Sequence, residues 1–141
     1  MKKTLRNKSL GEQSLDSEMR DSLESVVESF HKSRILVWGD VFVDHYVWGK
    51  VSRISPEAPV VVVNVESEDR RLGGAGNVAK NLVTLGAKVA ICTVLGDDEA
   101  GRLTRDMLEA EGIDVSGILL DKARSTIVKS RVIAHSQQVV R

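Results

Sequence analysis

A chain of 141 residues suits one domain with a core of its own, because a chain of about this size buries roughly two thirds of its unfolded surface. Its 20 lysines and arginines are balanced by 20 aspartates and glutamates without a long single-sign block, which argues against a nucleic-acid partner or an anionic membrane surface. The lone Cys92 makes no disulfide framework, the basic residues near Met1 lead into no apolar signal core, and no run reaches membrane-spanning length, so a cytoplasmic protein is expected.

Met1 to about Gln13 is polar and weakly patterned and reads as a loose terminus. The stretch "DSEMRDSLESVVESFHKS" then sets Met19, Leu23, Val26, Val27 and Phe30 at helical spacing, predicting an amphipathic helix whose stripe packs on something. "RILVWGD" from Arg34 reads as a buried parallel strand opening into a loop. "VFVDHYVWGKV" keeps a two-residue beat and predicts a strand, while the two prolines make "SRISPEAP" a loop. "VVVVNVE" is β-branched and reads as a strand that "SEDRR" breaks before the glycines.

From Asn77 a helix carries Val78, Leu82 and Leu85 and ends at Gly86. The strand "KVAICTVLG" follows, with Cys92 as a buried structural thiol. "DDEAGRLTRDMLEAEG" predicts a helix with acidic residues at its start and Gly112 as its stop. "GILLD" and "TIVKSRVIA" add strands, and "QQVVR" reads as extended chain cut in mid-run, leaving an unpaired edge and an uncovered apolar face.

The glycines of "RLGGAGNVAKN" admit several readings. Gly74, Gly76 and Ala79 satisfy G-x-G-x-x-A, with Asp97 about twenty residues on, as in a dinucleotide fingerprint. That motif needs a buried strand running into its first glycine, and the preceding residues are Glu66, Ser67, Glu68, Asp69, Arg70 and Arg71. No Lys-Ser or Lys-Thr follows at P-loop spacing. Two readings stay open: a tight turn without a ligand, and a turn whose bare N–H groups and helix start face a polar ligand beside the Asn77 amide.

"GGAGNVAKNLVTLGAKVAICTVLG" resembles the N-terminal signature of the ribokinase-like (PfkB) carbohydrate kinases: a Gly-Gly pair, Asn77, a small Ala79, then Gly86 and Gly96. "GDVFVDHYVWGKVSRISPEAPVVVV" and "STIVKSRVIAHSQQVVR" are similar, more narrowly, to the heptose-7-phosphate kinases of lipopolysaccharide precursor synthesis, often fused to an adenylyltransferase. The resemblance covers about Arg34 to Arg141. It implies an α/β fold, the N-terminal portion of a ribokinase-like three-layer α/β/α sandwich with a small β lid, over 34–141; residues 1–33, with the amphipathic helix, form an N-terminal extension outside the resemblance. It also implies a sugar-phosphate substrate, ATP and Mg2+ in the complete enzyme, and a homodimer paired through the lid.

By the same resemblance, Asp44 matches the aspartate that binds sugar hydroxyls, and Gly73, Gly74 and Asn77 match the sugar-facing turn. The strands around Tyr46, Val60 to Val65 and Ile127 to Ile133 would form the lid, which excludes water from the transfer. A phosphorylated sugar needs cations: Lys129 and Arg131, two apart and so on one strand face, lead Arg53 and Arg141. Asp40 is a loop-orienting or ligand-binding candidate, Asp97 and Asp98 read as helix-start charges, and His31, His45 and His135 lack metal-like clustering.

Phosphoryl transfer in this family relies on a D-T-x-G-A-G-D-like segment with an anion hole and a final aspartate base, and no such segment occurs among these residues. The expectation is therefore the sugar side of a kinase site, without catalytic or nucleotide-binding residues and without activity of its own. The competing reading is a non-catalytic sugar-binding or assembly module of the same fold, separable by the downstream reading frame. A nucleotide-binding oxidoreductase fragment stands third and would show itself by NAD(H) titration.

Overall fold

The computed structural model describes residues 19–135 and 137–141. The expected loose terminus, Met1 to Gln13, lies outside them.

Three strands, β1 (Arg34–Trp38), β4 (Lys88–Gly96) and β5 (Asp114–Asp121), form a parallel sheet in the order β1-β4-β5. One face is covered by α2 (Ala75–Thr84) and α3 (Glu99–Ala110). The alternation along β4 shows why: Val89, Ile91 and Leu95 turn toward the helices and are buried with Ala79 of α2 and Leu108 of α3. Ile91 and Leu108 are wholly buried. Gly86 and Gly112, both at positive φ, end the two helices as their positions predict.

A second sheet has the order β3-β2-β6-β7, built from β2 (Val41–Ile54), β3 (Val61–Gly74), β6 (Val128–Ala134) and β7 (Gln137–Val140). β2 runs antiparallel to β3 and parallel to β6, which runs antiparallel to β7. Val41 at the foot of β2 and Leu72 near the end of β3 belong to the same core as Ile91, so this lid is rooted in the α/β layer. A cluster at its base joins three elements. Asp98 accepts from the Gly101 amide at 2.7 Å and caps α3, and its other oxygen accepts from the Thr126 amide at 2.8 Å. The Thr126 hydroxyl accepts from the buried Gly96 amide at 2.8 Å.

Several expectations need correction. "SEDRR" does not break the strand: β3 runs through it into Gly73 and Gly74, because pairing with β2 supplies the ladder that the polar sequence does not advertise. Likewise β2 extends through "SRI" to Ile54, and α2 begins at Ala75 rather than Asn77. Residues 19–28 are helical (α1), yet of the expected stripe Met19, Leu23, Val26 and Val27 are exposed and only Phe30, just beyond the helix, is half-buried. β1 is covered on one side only, where Ile35 and Val37 are partly buried against the core, while Leu36 and Trp38 stand on the sheet face that no described helix covers. On the adjoining strand Cys92 is half-buried, not buried.

The strand now found ahead of the glycines does not restore the dinucleotide fingerprint. β3 lies in the lid and β4 in the other sheet, so the glycine turn does not sit in a βαβ unit.

Candidate functional site

The two-residue period of a strand places Phe42, Asp44, Tyr46 and Trp48 on one face of β2. Register sets Gly73 beside Phe42 and Arg71 beside Asp44 on β3, with Lys129 beside Asp44 and Arg131 beside Tyr46 on β6. Charge and aromatic surface therefore converge on this face of the lid.

Asp44 is the centre of the group. The Arg131 guanidinium donates to Asp44 Oδ1, and the two side chains are only 20% and 18% exposed. That bond raises the Arg131 pKa above its ordinary value. Arg131 also lies 5.2 Å from the Tyr46 ring centre, Arg71 5.1 Å from the same ring, and Tyr46 stacks on Trp48 at 5.5 Å. Arg71 donates to Asp69 at 2.7 Å, which lowers the Asp69 pKa and raises that of Arg71. The Lys129 ammonium rests 3.3 Å above the Phe42 ring.

Gly73 answers what the bare backbone touches. A Cβ there would meet Phe42 ring carbons at 2.1 and 2.5 Å and Asp44 Oδ2 at 2.9 Å. At Gly74, with φ 59 and ψ −131, a Cβ would meet the Asp40 carbonyl at 2.4 Å. That carbonyl accepts from the Ala75 amide at 2.9 Å, so Asp40 holds the turn through its main chain. Close packing thus accounts for both glycines, and the same packing sets the Asp44 carboxylate against the turn that starts α2. No side chain caps that helix.

The structure brings Asp44, Gly73, Lys129 and Arg131 together. Gly74 is one residue farther along, at the helix start. Asn77 is exposed in the first turn of α2 and lines a shallow cleft with Arg71, Lys80 and Glu111, without a hydrogen bond to Asp44. Arg53 lies near the far end of β2, away from Asp44, whereas Arg141 follows β7, whose antiparallel register sets Val140 beside Val132 and leads the chain toward Arg131. His45 faces the other side of the lid and bonds Glu68 at 2.8 Å, while His31 and His135 are exposed. Asp98 caps α3, as its position at the helix start suggests. Sequence reasoning missed Arg71, since "SEDRR" was expected to break the strand, and missed Phe42 and Tyr46 as rests for cations; the alternation Phe42, Asp44, Tyr46 was the available signal.

No three His, Cys, Asp or Glu side chains converge as a metal site among the described residues. No helix is long and apolar enough to cross a membrane among the described residues.

The chain is 52% identical over 122 residues to the bifunctional protein HldE of Geotalea uraniireducens (strain Rf4), covering 86% of this chain and 25% of that protein. It spans about a quarter of the length of the curated relatives it matches. A carbohydrate kinase from Agrobacterium tumefaciens shares the fold with a TM-score of 0.63 at 23% identity, over 77% of this chain and 34% of that one. Ribokinase from Cryptococcus neoformans var. grubii serotype A, in complex with ADP, does so with a TM-score of 0.58 at 23% identity, over 77% of this chain and 33% of that one. With residues 32–140 matched by the profile of the pfkB family carbohydrate kinases, this chain belongs to that family.

Proposed function

We propose that this chain is the sugar-binding part of an ATP-dependent kinase that phosphorylates a sugar phosphate, D-glycero-β-D-manno-heptose 7-phosphate at O1, in ADP-heptose supply for the lipopolysaccharide core. The observation that carries the reading is the Asp44 carboxylate set against Gly73 on a lid face that also bears Lys129 and Arg131. A carboxylate accepts hydroxyl hydrogens, the start of α2 offers N–H groups, and two cations on one strand face suit a phosphate. High identity to a protein named as bifunctional HldE supports the heptose and the fusion to a second activity. The solved relative bound to ADP supports a nucleotide as phosphoryl donor.

In this reading Asp44, Gly73, Gly74 and Asn77 grip the hydroxyl face of the sugar, and Lys129 and Arg131 take the phosphate. The lid closes over the sugar in the cytoplasm and pairs two subunits, with β3 and β7 as its edge strands. The aspartate base and anion hole are not among these residues, so the chain alone transfers no phosphate.

Calorimetric titration with the heptose 7-phosphate tests the reading. Wild type binds and Asp44→Asn binds at least about tenfold more weakly, the loss expected for a charge-assisted bond. Equal affinity of the two would remove Asp44 from the site. Release of ADP from ATP, magnesium and the heptose phosphate at an ordinary enzyme rate would overturn the assignment of catalysis to other residues.

A further inference from the structure

The carboxylate assigned to sugar hydroxyls is already engaged. Arg131 donates to Asp44 Oδ1, and Oδ2 is turned toward the Gly73 backbone. Both side chains are four-fifths shielded from water, and Arg131 is further held by its contact with Tyr46, itself stacked on Trp48. We propose that Arg131 is a specificity-determining gate on Asp44, which closes the site to unphosphorylated sugars and opens it to sugars that carry a phosphate. The proposal rests on the sugar-kinase reading above and adds to it how substrate class is chosen.

Binding at Asp44 is an exchange of partners. A neutral sugar that takes Asp44 must displace a guanidinium, replacing a charge-assisted ion pair by hydroxyl bonds and leaving Arg131 without a counter-charge. A phosphorylated sugar supplies that counter-charge. Its phosphate offers the planar guanidinium a bidentate partner, so one charged pair replaces another while Asp44 is released to the hydroxyls. Local charge favours this exchange. Three cations, Arg71, Lys129 and Arg131, share the lid face with two carboxylates, Asp44 and Asp69, and Asp69 is taken by Arg71. Lys129 makes no ion pair among the described residues and rests on the Phe42 ring, available to the same phosphate. Selectivity is then negative as well as positive, because the cation that attracts the correct ligand also blocks the incorrect one.

Calorimetry on the full chain, with D-glycero-D-manno-heptose and its 7-phosphate as probes, separates this from a plain phosphate-binding role. Wild type prefers the phosphate by at least about tenfold, as expected for a charge-assisted contact. In Arg131→Met and in Arg131→Gln, affinity for the 7-phosphate falls and affinity for the neutral heptose rises by about three- to tenfold, since Asp44 is freed. The two variants guard against a misfolding artefact, and circular dichroism checks each. Neutral-heptose affinity that is unchanged or lower in the folded variants overturns the gate while leaving the sugar-kinase reading in place. Failure of wild type to bind either sugar overturns that reading, and the gate with it.

Discussion

Replacing Gly73 by alanine is the sharpest test of how the site is built, because a single steric cause predicts both a stability loss and its rescue. The new Cβ would stand 2.1 and 2.5 Å from two Phe42 ring carbons and 2.9 Å from Asp44 Oδ2. Real carbon contacts do not come so close, so the ring must turn or the β2–β3 ladder must spread. Overpacking of this kind costs about 1–3 kcal/mol. Phe42→Ala removes the obstacle and some of its own packing; because the ring is half-buried, roughly 1–3 kcal/mol is expected rather than the full value for a core phenylalanine. In the double variant the alanine at 73 meets no ring. The two losses should then fall short of additivity by about 0.5–3 kcal/mol, the range for residues in contact. Urea unfolding of the four proteins reads this directly. Additive losses, or a Gly73→Ala loss below about 0.5 kcal/mol, would show that the ring does not occupy the space over the glycine.

Thr126→Val keeps the shape but deletes the acceptor of the buried Gly96 amide, so it should cost about 1–3 kcal/mol in urea unfolding. Leu108→Ala empties a wholly buried site beneath β4 and should cost about 2–5 kcal/mol by the same measurement. Asp98 has its pKa lowered first by the Thr126 amide and then by that of Gly101. A lowered folded-state pKa gives stability that is complete above the unfolded value of about 3.9 and is lost as pH falls through the folded value. The urea midpoint of wild type should therefore drop below about pH 4 more steeply than that of Asp98→Asn.

Elements with an apolar period and a glycine stop were legible in the sequence. β4 alternates cleanly, and Gly86 and Gly112 mark the ends of α2 and α3, where the positive φ values fall. The second half of β3 was not legible: from Glu66 to Arg71 there is neither alternation nor β-branching, and only the β2 ladder makes it a strand. Tertiary pairing overrode local preference there. The stripe on α1 illustrates the converse, a clear local pattern whose Met19, Leu23, Val26 and Val27 are exposed. At the site, Asp44 and Gly73 followed from family resemblance, and the shared face of Lys129 and Arg131 from strand parity. That Arg131 reaches Asp44, 87 residues away in sequence, depends on the parallel β2–β6 register, which no local pattern encodes.

The same register divides the lid into a fixed half and a loose half. β6 pairs with β2 from Val43 to Gly49 and no farther, while β3 continues alongside to Ile54. Below Gly49, β2 is a central strand anchored by Val41 and Val43, both nearly fully buried. Beyond it, β2 and β3 form a two-stranded arm with shifted register at Trp48/Gly49 and again at Val51/Arg53, and most of its side chains are exposed. A two-stranded ribbon is marginal by itself, and bulges are where strands bend. Asp44 thus sits on the fixed half, so closure over a sugar would move the arm and leave the carboxylate in place. Amide hydrogen exchange should find Val43 and Val47 protected far more strongly than Lys50 to Ile54, by about a hundredfold or more, since the central strand opens only with the core. Equal protection along β2 would mean that the lid moves as one body and carries Asp44 with it.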